Sequence, residues 1–159
     1  MLVADISYRK ILVATDGSED ASRAAHHAIA MARAFHAALA VVAVVDIYTF
    51  MDPQVGAVVV DLQDSEREFL QGAVDTVANQ ARQAGIGEVV ARVLDGFPRN
   101  TLVDAITDTH SDLVVVGSHG RNAIQRLVIG STSEHLIRHS PCPVLVIRPS
   151  RTNAEHPTS

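Results

Sequence analysis

The sequence predicts an α/β fold three layers deep, a parallel sheet with helices on both faces. Five short apolar runs alternate along the chain with four stretches of helical spacing, and such alternation implies right-handed crossovers between parallel strands. The apolar runs carry almost no polar positions, which is the pattern of strands buried on both sides. No internal repeat or low-complexity segment interrupts the order.

Residues 10–15 (KILVAT) form the first strand, a β-branched run that ends in Asp-Gly-Ser. Residues 18–35 follow as a helix, with Ser18 as its N-cap and Glu19 and Asp20 in the first turn, where carboxylates meet the positive end of the helix dipole. The second strand covers 39–45. Residues 47–63 read as a long loop, apolar in its GAVVV portion and able to serve as a lid or a contact surface. At Ser65 the tract S-E-R-E matches a capping box, so a helix is expected from there to Gly85, a natural residue just past a helix end. Residues 89–94 are the third strand, Pro98 opens a helix reaching about His110, and 113–116 is the fourth strand. The last helix spans 131–139. The fifth strand lies in PVLVIRP, bounded by Pro143 and Pro149, and residues 150–159 read as a disordered polar tail outside a single domain of residues 1–149.

At 159 residues the chain suits one domain with a full core. The hydrophobic fraction of 47% against 19% charged residues is ordinary, but tryptophan is absent and aromatics reach only 4%, so Val, Ile, Leu and Ala must build the core. A net charge of -5 argues against a nucleic-acid or anionic-membrane surface, since both need a basic footprint. The longest apolar run, AALAVVAVV, has nine residues, about half of a membrane span. The N-terminus lacks the features of a signal peptide, and a single cysteine, Cys142, cannot staple the fold internally; together these favour a cytoplasmic setting.

In open parallel sheets the ligand crevice lies beyond the carboxyl ends of the strands, where strand order reverses. Two segments are equipped for it: Asp16-Gly17-Ser18 after the first strand, and the stretch GSHGRNAIQRLVIGS from Gly117 to Ser131 after the fourth. Glycine at 117 and 120 would let backbone amides form a concave nest open to a bulky anion. Gly130, Ser131 and Ser133 then open a helix whose free amides and dipole favour phosphate, with the hydroxyls as extra donors. Arg121 and Arg126 are the candidate cationic partners. The competing reading is a pair of tight turns. Neither a Walker A tract nor a G-x-G-x-x-G fingerprint is present to decide between them.

The spacing from Gly117 to Gly120 to Gly130-Ser131 resembles the nucleotide-binding signature of the universal stress protein family, in its ATP-binding branch. KILVATDGS, the Gly96-Phe97-Pro98 turn, DLVVVGSHGR and SPCPVLVIRP resemble the same family in the same order. The resemblance implies a Rossmann-like fold of the adenine nucleotide alpha hydrolase-like kind, with strand order 3-2-1-4-5, which makes strands one and four neighbours. It implies that Asp16 and the backbone near Val44 hold adenosine, with Ala14 and Thr15 lining the adenine end. Gly117, His119, Gly120, Gly130, Ser131 and Ser133 would surround ribose and phosphates, joined by Val116, Ser118, Arg121 and Thr132. The implied ligand is ATP with Mg²⁺ as an accompanying ion, and cyclic AMP or AMP is the alternative. The resemblance also implies homodimers through the fifth strand, whose β-branched edge suits pairing with a symmetry mate.

Other chemistry is less well supported. His135 and His139 lie four apart, with Cys142 soon after, but spacing suggests no fourth zinc ligand. Cys142 between prolines reads as a small packed residue. Ser118 and His119 are consecutive, and consecutive side chains seldom reach the same atom, so they are not read as nucleophile and base. Asp16 and Asp46 can share the crevice mouth, with nothing placing a second acid across a scissile bond. The sequence thus favours a nucleotide-dependent sensor in stress response over an enzyme, slow ATP hydrolysis being the enzymatic alternative.

Overall fold

Strand β1 (Lys10–Ala14) lies at the centre of the sheet. The computed structural model describes residues 5–47, 57–121 and 128–150, with side chains in the second segment described from residue 62. The elements follow as α1 (Glu19–Phe35), β2 (Ala38–Asp46), α2 (Ala57–Gln83), β3 (Val89–Gly96), α3 (Pro98–Asp108), β4 (Leu113–Gly117), α4 (Ser131–His139) and β5 (Val144–Ile147). The five strands pair in parallel in the order β3-β2-β1-β4-β5. Both the class and the strand order expected from the sequence are therefore present.

The apolar strands are explained by two separate cores. Ile11 and Val13 pack with Leu39, Val41, Leu70 and Val74 in the layer under α1 and α2. Leu12 and Ala14, pointing the other way along the same strand, pack with Val42, Leu102, Ile106 and Leu136 under α3 and α4. Each fully buried Leu or Ile contributes about 1.5–3 kcal/mol relative to exposure, so each of the four apolar residues of β1 is needed by one layer or the other. Helix α1 presents a stripe of small residues to the sheet, Ala21, Ala24, Ala25, Ala28 and Ala32, all buried. With only methyl groups between them, helix and sheet approach closely, which matters for β4 below.

Ser18 caps α1 as expected, its hydroxyl accepting from the Ala21 amide at 3.1 Å. Pro98 opens α3 at its first position. The capping box at Ser65 is not a helix start. Helix α2 already runs from Ala57, and no glycine or proline interrupts residues 57–71, so the S-E-R-E tract lies inside a continuing helix. The loop expected at 47–63 is correspondingly shorter at its C-terminal end; residues 48–56 lie outside the described residues, as do Arg126 and positions 151–159 of the expected tail. Strand β3 runs two residues further than expected because Asp95 and Gly96 pair with Val45 and Asp46. Strand β5 is an edge, as its flanking prolines suggested. Among the described residues, no helix is long and apolar enough to cross a membrane.

Candidate functional site

Because β1 pairs directly with β4, the loops that leave their carboxyl ends meet, and the Asp16 carboxylate joins them. One oxygen accepts from the Ser18 amide at 2.9 Å, closing the turn into α1, and the other accepts from the Arg121 amide at 2.9 Å. The Asp16 side chain thus pins the chain after β4 to the chain after β1. The return of the long loop is fixed at the same level: the Gly130 amide donates to the Ser118 carbonyl at 2.7 Å, and the Ser133 hydroxyl donates to the Gly117 carbonyl at 2.7 Å. Helix α4 begins there with Gly130 as its cap residue. The amides of Ser131, Thr132 and Ser133 have no acceptor within the helix, which makes its start an electropositive end of free donors.

Gly117 has a packing role beside the anion nest expected of it. A Cβ on Gly117 would lie 2.8 Å from the Asp20 carbonyl carbon, 2.9 Å from its oxygen and 3.0 Å from the Ala21 nitrogen. The absent side chain makes room for the first turn of α1, the same close approach that the alanine stripe permits. The Ser133 hydroxyl, expected as an extra phosphate donor, has its hydrogen directed at the Gly117 carbonyl in this structure.

Behind Gly117 lies a buried polar cluster that the sequence did not disclose. Ser118, fully buried, donates its hydroxyl to Asp20 Oδ2 at 2.9 Å, and His119 Nδ1 sits 3.1 Å from the same oxygen and 2.9 Å from Ser118 Oγ. Arg23 binds the other oxygen of Asp20 and also Glu19. Consecutive side chains seldom reach one atom, but here Ser118 and His119 converge on Asp20 Oδ2. Burial opposes ionisation of the Asp20 carboxyl, but hydrogen bonds from Ser118, His119 and Arg23 outweigh it and hold the group below the ordinary value of 3.8. The arrangement is no catalytic triad, because the Ser118 hydroxyl is enclosed and faces the carboxylate. The Nε2 atom of His119, on the far side of the ring, is buried without a hydrogen-bond partner among the described residues.

Together these loops border a cavity of about 620 Å³, a size common for small-molecule sites. Of the fourteen residues that the family resemblance assigns to the nucleotide, thirteen line it: Ala14, Thr15, Asp16, Val44, Val116, Gly117, His119, Gly120, Arg121, Gly130, Ser131, Thr132 and Ser133. Ser118 does not, its side chain being turned into the Asp20 cluster. The wall also contains Val42, Ala43, Asp46, Pro98, Leu102 and Glu66. Pro98 and Leu102 come from α3, whose position over the mouth follows from the crossover and not from any local motif.

Elsewhere the structure offers less. The rings of His135 and His139 lie 4.2 Å apart, and burial, then the neighbouring His139 and Arg99, lower the His135 pKa. No group of three or more His, Cys, Asp or Glu side chains suited to a metal occurs among the described residues. Burial pushes the Cys142 thiol up, and its side chain packs against the α3–α4 core.

Residues 7–148 match the universal stress protein family profile. A Staphylococcus aureus (strain USA300) protein assigned to the universal stress proteins is 33% identical over 153 residues, covering 94% of this chain and 90% of that one. Among solved structures, the universal stress protein UspA from Lactobacillus plantarum superposes with a TM-score of 0.83 at 29% identity, covering 91% of this chain and all of the other. A universal stress protein in complex with cAMP superposes at 0.70 with 25% identity, covering 91% of this chain and all of the other. The profile match runs from before β1 to past the end of β5, and with the Staphylococcus aureus relative it shows that the chain belongs to the universal stress protein family.

Proposed function

We propose that the crevice binds an adenine nucleotide, ATP foremost, and that the protein acts as a nucleotide-dependent regulator in stress response and not as an enzyme. The observation that supports this most is the meeting, in one cavity, of the Asp16 turn, the Gly117–Arg121 segment and the free amides opening α4. Val42, Ala43, Val44 and Leu102 supply apolar wall suited to an adenine ring, while the amides of Ser131, Thr132 and Ser133 suit phosphate oxygens. A magnesium ion would enter with the nucleotide, carried by phosphate oxygens. Binding would stiffen the junction between the two loops, and that change would be the signal.

The solved complex of a related protein with cAMP favours a second reading, in which AMP or cyclic AMP is the ligand. Thermal melts test both. ATP with Mg²⁺ at millimolar concentration should raise the melting temperature as RT ln(1 + [L]/Kd) requires, about 2.7 kcal/mol at a hundredfold excess over Kd. Mass spectrometry of small molecules released from freshly purified, denatured protein identifies any ligand carried along. No shift with ATP, AMP or cyclic AMP and no released nucleotide would remove the proposal. Asp16→Ala should weaken binding at least tenfold while leaving the chain folded, because it frees the Arg121 amide and opens the turn at Ser18. Release of phosphate over many turnovers would instead favour the hydrolase reading. We further propose a cytoplasmic protein that dimerises through the β5 edge, the strand bounded by Pro143 and Pro149, a state that sedimentation measures directly.

A further inference from the structure

Glu66 carries no visible role in the sequence, yet it lines the crevice with its side chain three-quarters buried. Both of its carboxylate oxygens face the guanidinium of Arg121: Nη1 donates to Oε2 at 3.3 Å, and Nη2 donates to Oε1. The same guanidinium lies 4.7 Å from the centre of the Phe69 ring. Its backbone amide is bound to Asp16, so Arg121 is fixed at both ends. Among the described residues of the crevice wall it is also the only lysine or arginine, against the carboxylates of Asp16, Asp46 and Glu66. The one lysine or arginine of the described crevice wall is thus already neutralised by an acid that shares the wall with it.

We infer that Glu66 is a specificity-determining residue that sets how strongly the crevice distinguishes nucleotides by their number of phosphates. This rests on the reading of the crevice as an adenine-nucleotide site. A single phosphate can be met by the free amides at the start of α4 without Arg121. Each further phosphate adds negative charge to a wall that is already acidic, and among its described residues Arg121 carries the one guanidinium or ammonium group to meet it. That fork fits a carboxylate and a phosphate equally well. A polyphosphate gains Arg121 only by displacing Glu66, so Glu66 weakens ATP selectively and leaves AMP nearly untouched.

The test titrates AMP and Mg-ATP into nucleotide-free full-length protein by calorimetry, for the wild type and for Glu66→Gln, Asp64→Asn and the double variant Glu66→Gln with Arg121→Gln. Asp64 is an exposed acid on the same helix and controls for net charge. Glu66→Gln should tighten Mg-ATP about three- to fivefold and AMP less than twofold, the effect of releasing one partly exposed ion pair. Asp64→Asn should change neither by more than about twofold. The double variant should lose the gain. Equal tightening of both nucleotides, no tightening of ATP, or the same gain from Asp64→Asn would overturn the role of Glu66. A wild type that binds neither nucleotide would overturn the nucleotide site itself, whereas one that binds ATP without a selective gain in Glu66→Gln overturns only the inference. Glu66→Ala, with the same expected direction, covers any misfolding of the glutamine variant.

Discussion

Gly117→Ala should lower the melting temperature by about 2–12 °C, the effect of roughly 1–3 kcal/mol of overpacking in a domain of this size. A methyl group there meets backbone atoms of Asp20 and Ala21 at 2.8–3.0 Å, and backbone at the start of a helix cannot rotate aside as a side chain can. The first turn of α1 must retreat from β4. Its retreat stretches the bonds from Asp20 to Ser118 and His119, so ligand affinity should fall along with stability. If Gly117 served only as an anion nest, the same substitution would weaken binding and leave the unligated protein as stable as before. Gly72→Ala is the control: a Cβ at that position meets nothing within 4 Å, and alanine in the interior of α2 should stabilise by up to about 1 kcal/mol. Differential scanning calorimetry of the two variants without nucleotide separates the readings. An unchanged melting temperature for Gly117→Ala would refute the packing role.

That glycine illustrates what the sequence could and could not reveal. The periodicity of KILVA and ALAVV reported strands covered on both faces, since each strand must serve two cores. Helix starts at Ser18 and Pro98 were legible because their signals act within one turn. Ser65 failed for a complementary reason: a local capping pattern has no force where the helix is already under way. The need for glycine at 117 was visible, but its cause was not, because the atoms that occupy the space belong to Asp20, far away along the chain. Ser118 was assigned to the crevice for want of that same partner. Glu66 escaped notice because only the fold brings a residue of α2 against Arg121. The crevice itself could be located because its place follows from strand order, whereas the commitments of its polar groups follow from contacts that no spacing rule encodes.

Asp20→Ala should be among the most damaging single changes outside the apolar core, costing about 3–5 kcal/mol at neutral pH, the usual effect of removing one partner of a buried charged cluster. The side chain is only 12% exposed, and its loss leaves Arg23, Ser118 and His119 facing a space without an acceptor. Against the total of about 5–15 kcal/mol that holds a typical domain together, this can decide whether the chain folds. Asp20→Asn keeps the shape and one acceptor but removes the charge, and should cost less, about 1–3 kcal/mol. The two forms also predict a pH dependence of definite sign. Because the folded carboxyl titrates below its ordinary value of 3.8, the ionised group stabilises the wild type fully above that value, and the contribution fades as pH falls through the lower folded-state pKa. Once protonated, aspartic acid resembles the asparagine variant. The stability gap between wild type and Asp20→Asn, measured by urea unfolding from pH 7 downwards, should therefore hold constant to about pH 4 and then close. A gap that stays constant into strong acid would mean that the cluster depends on shape alone. A gap that closes as described would establish that the charge of Asp20 ties the start of α1 to Ser118 and His119, so that the crevice wall is held in part by an acid placed behind it.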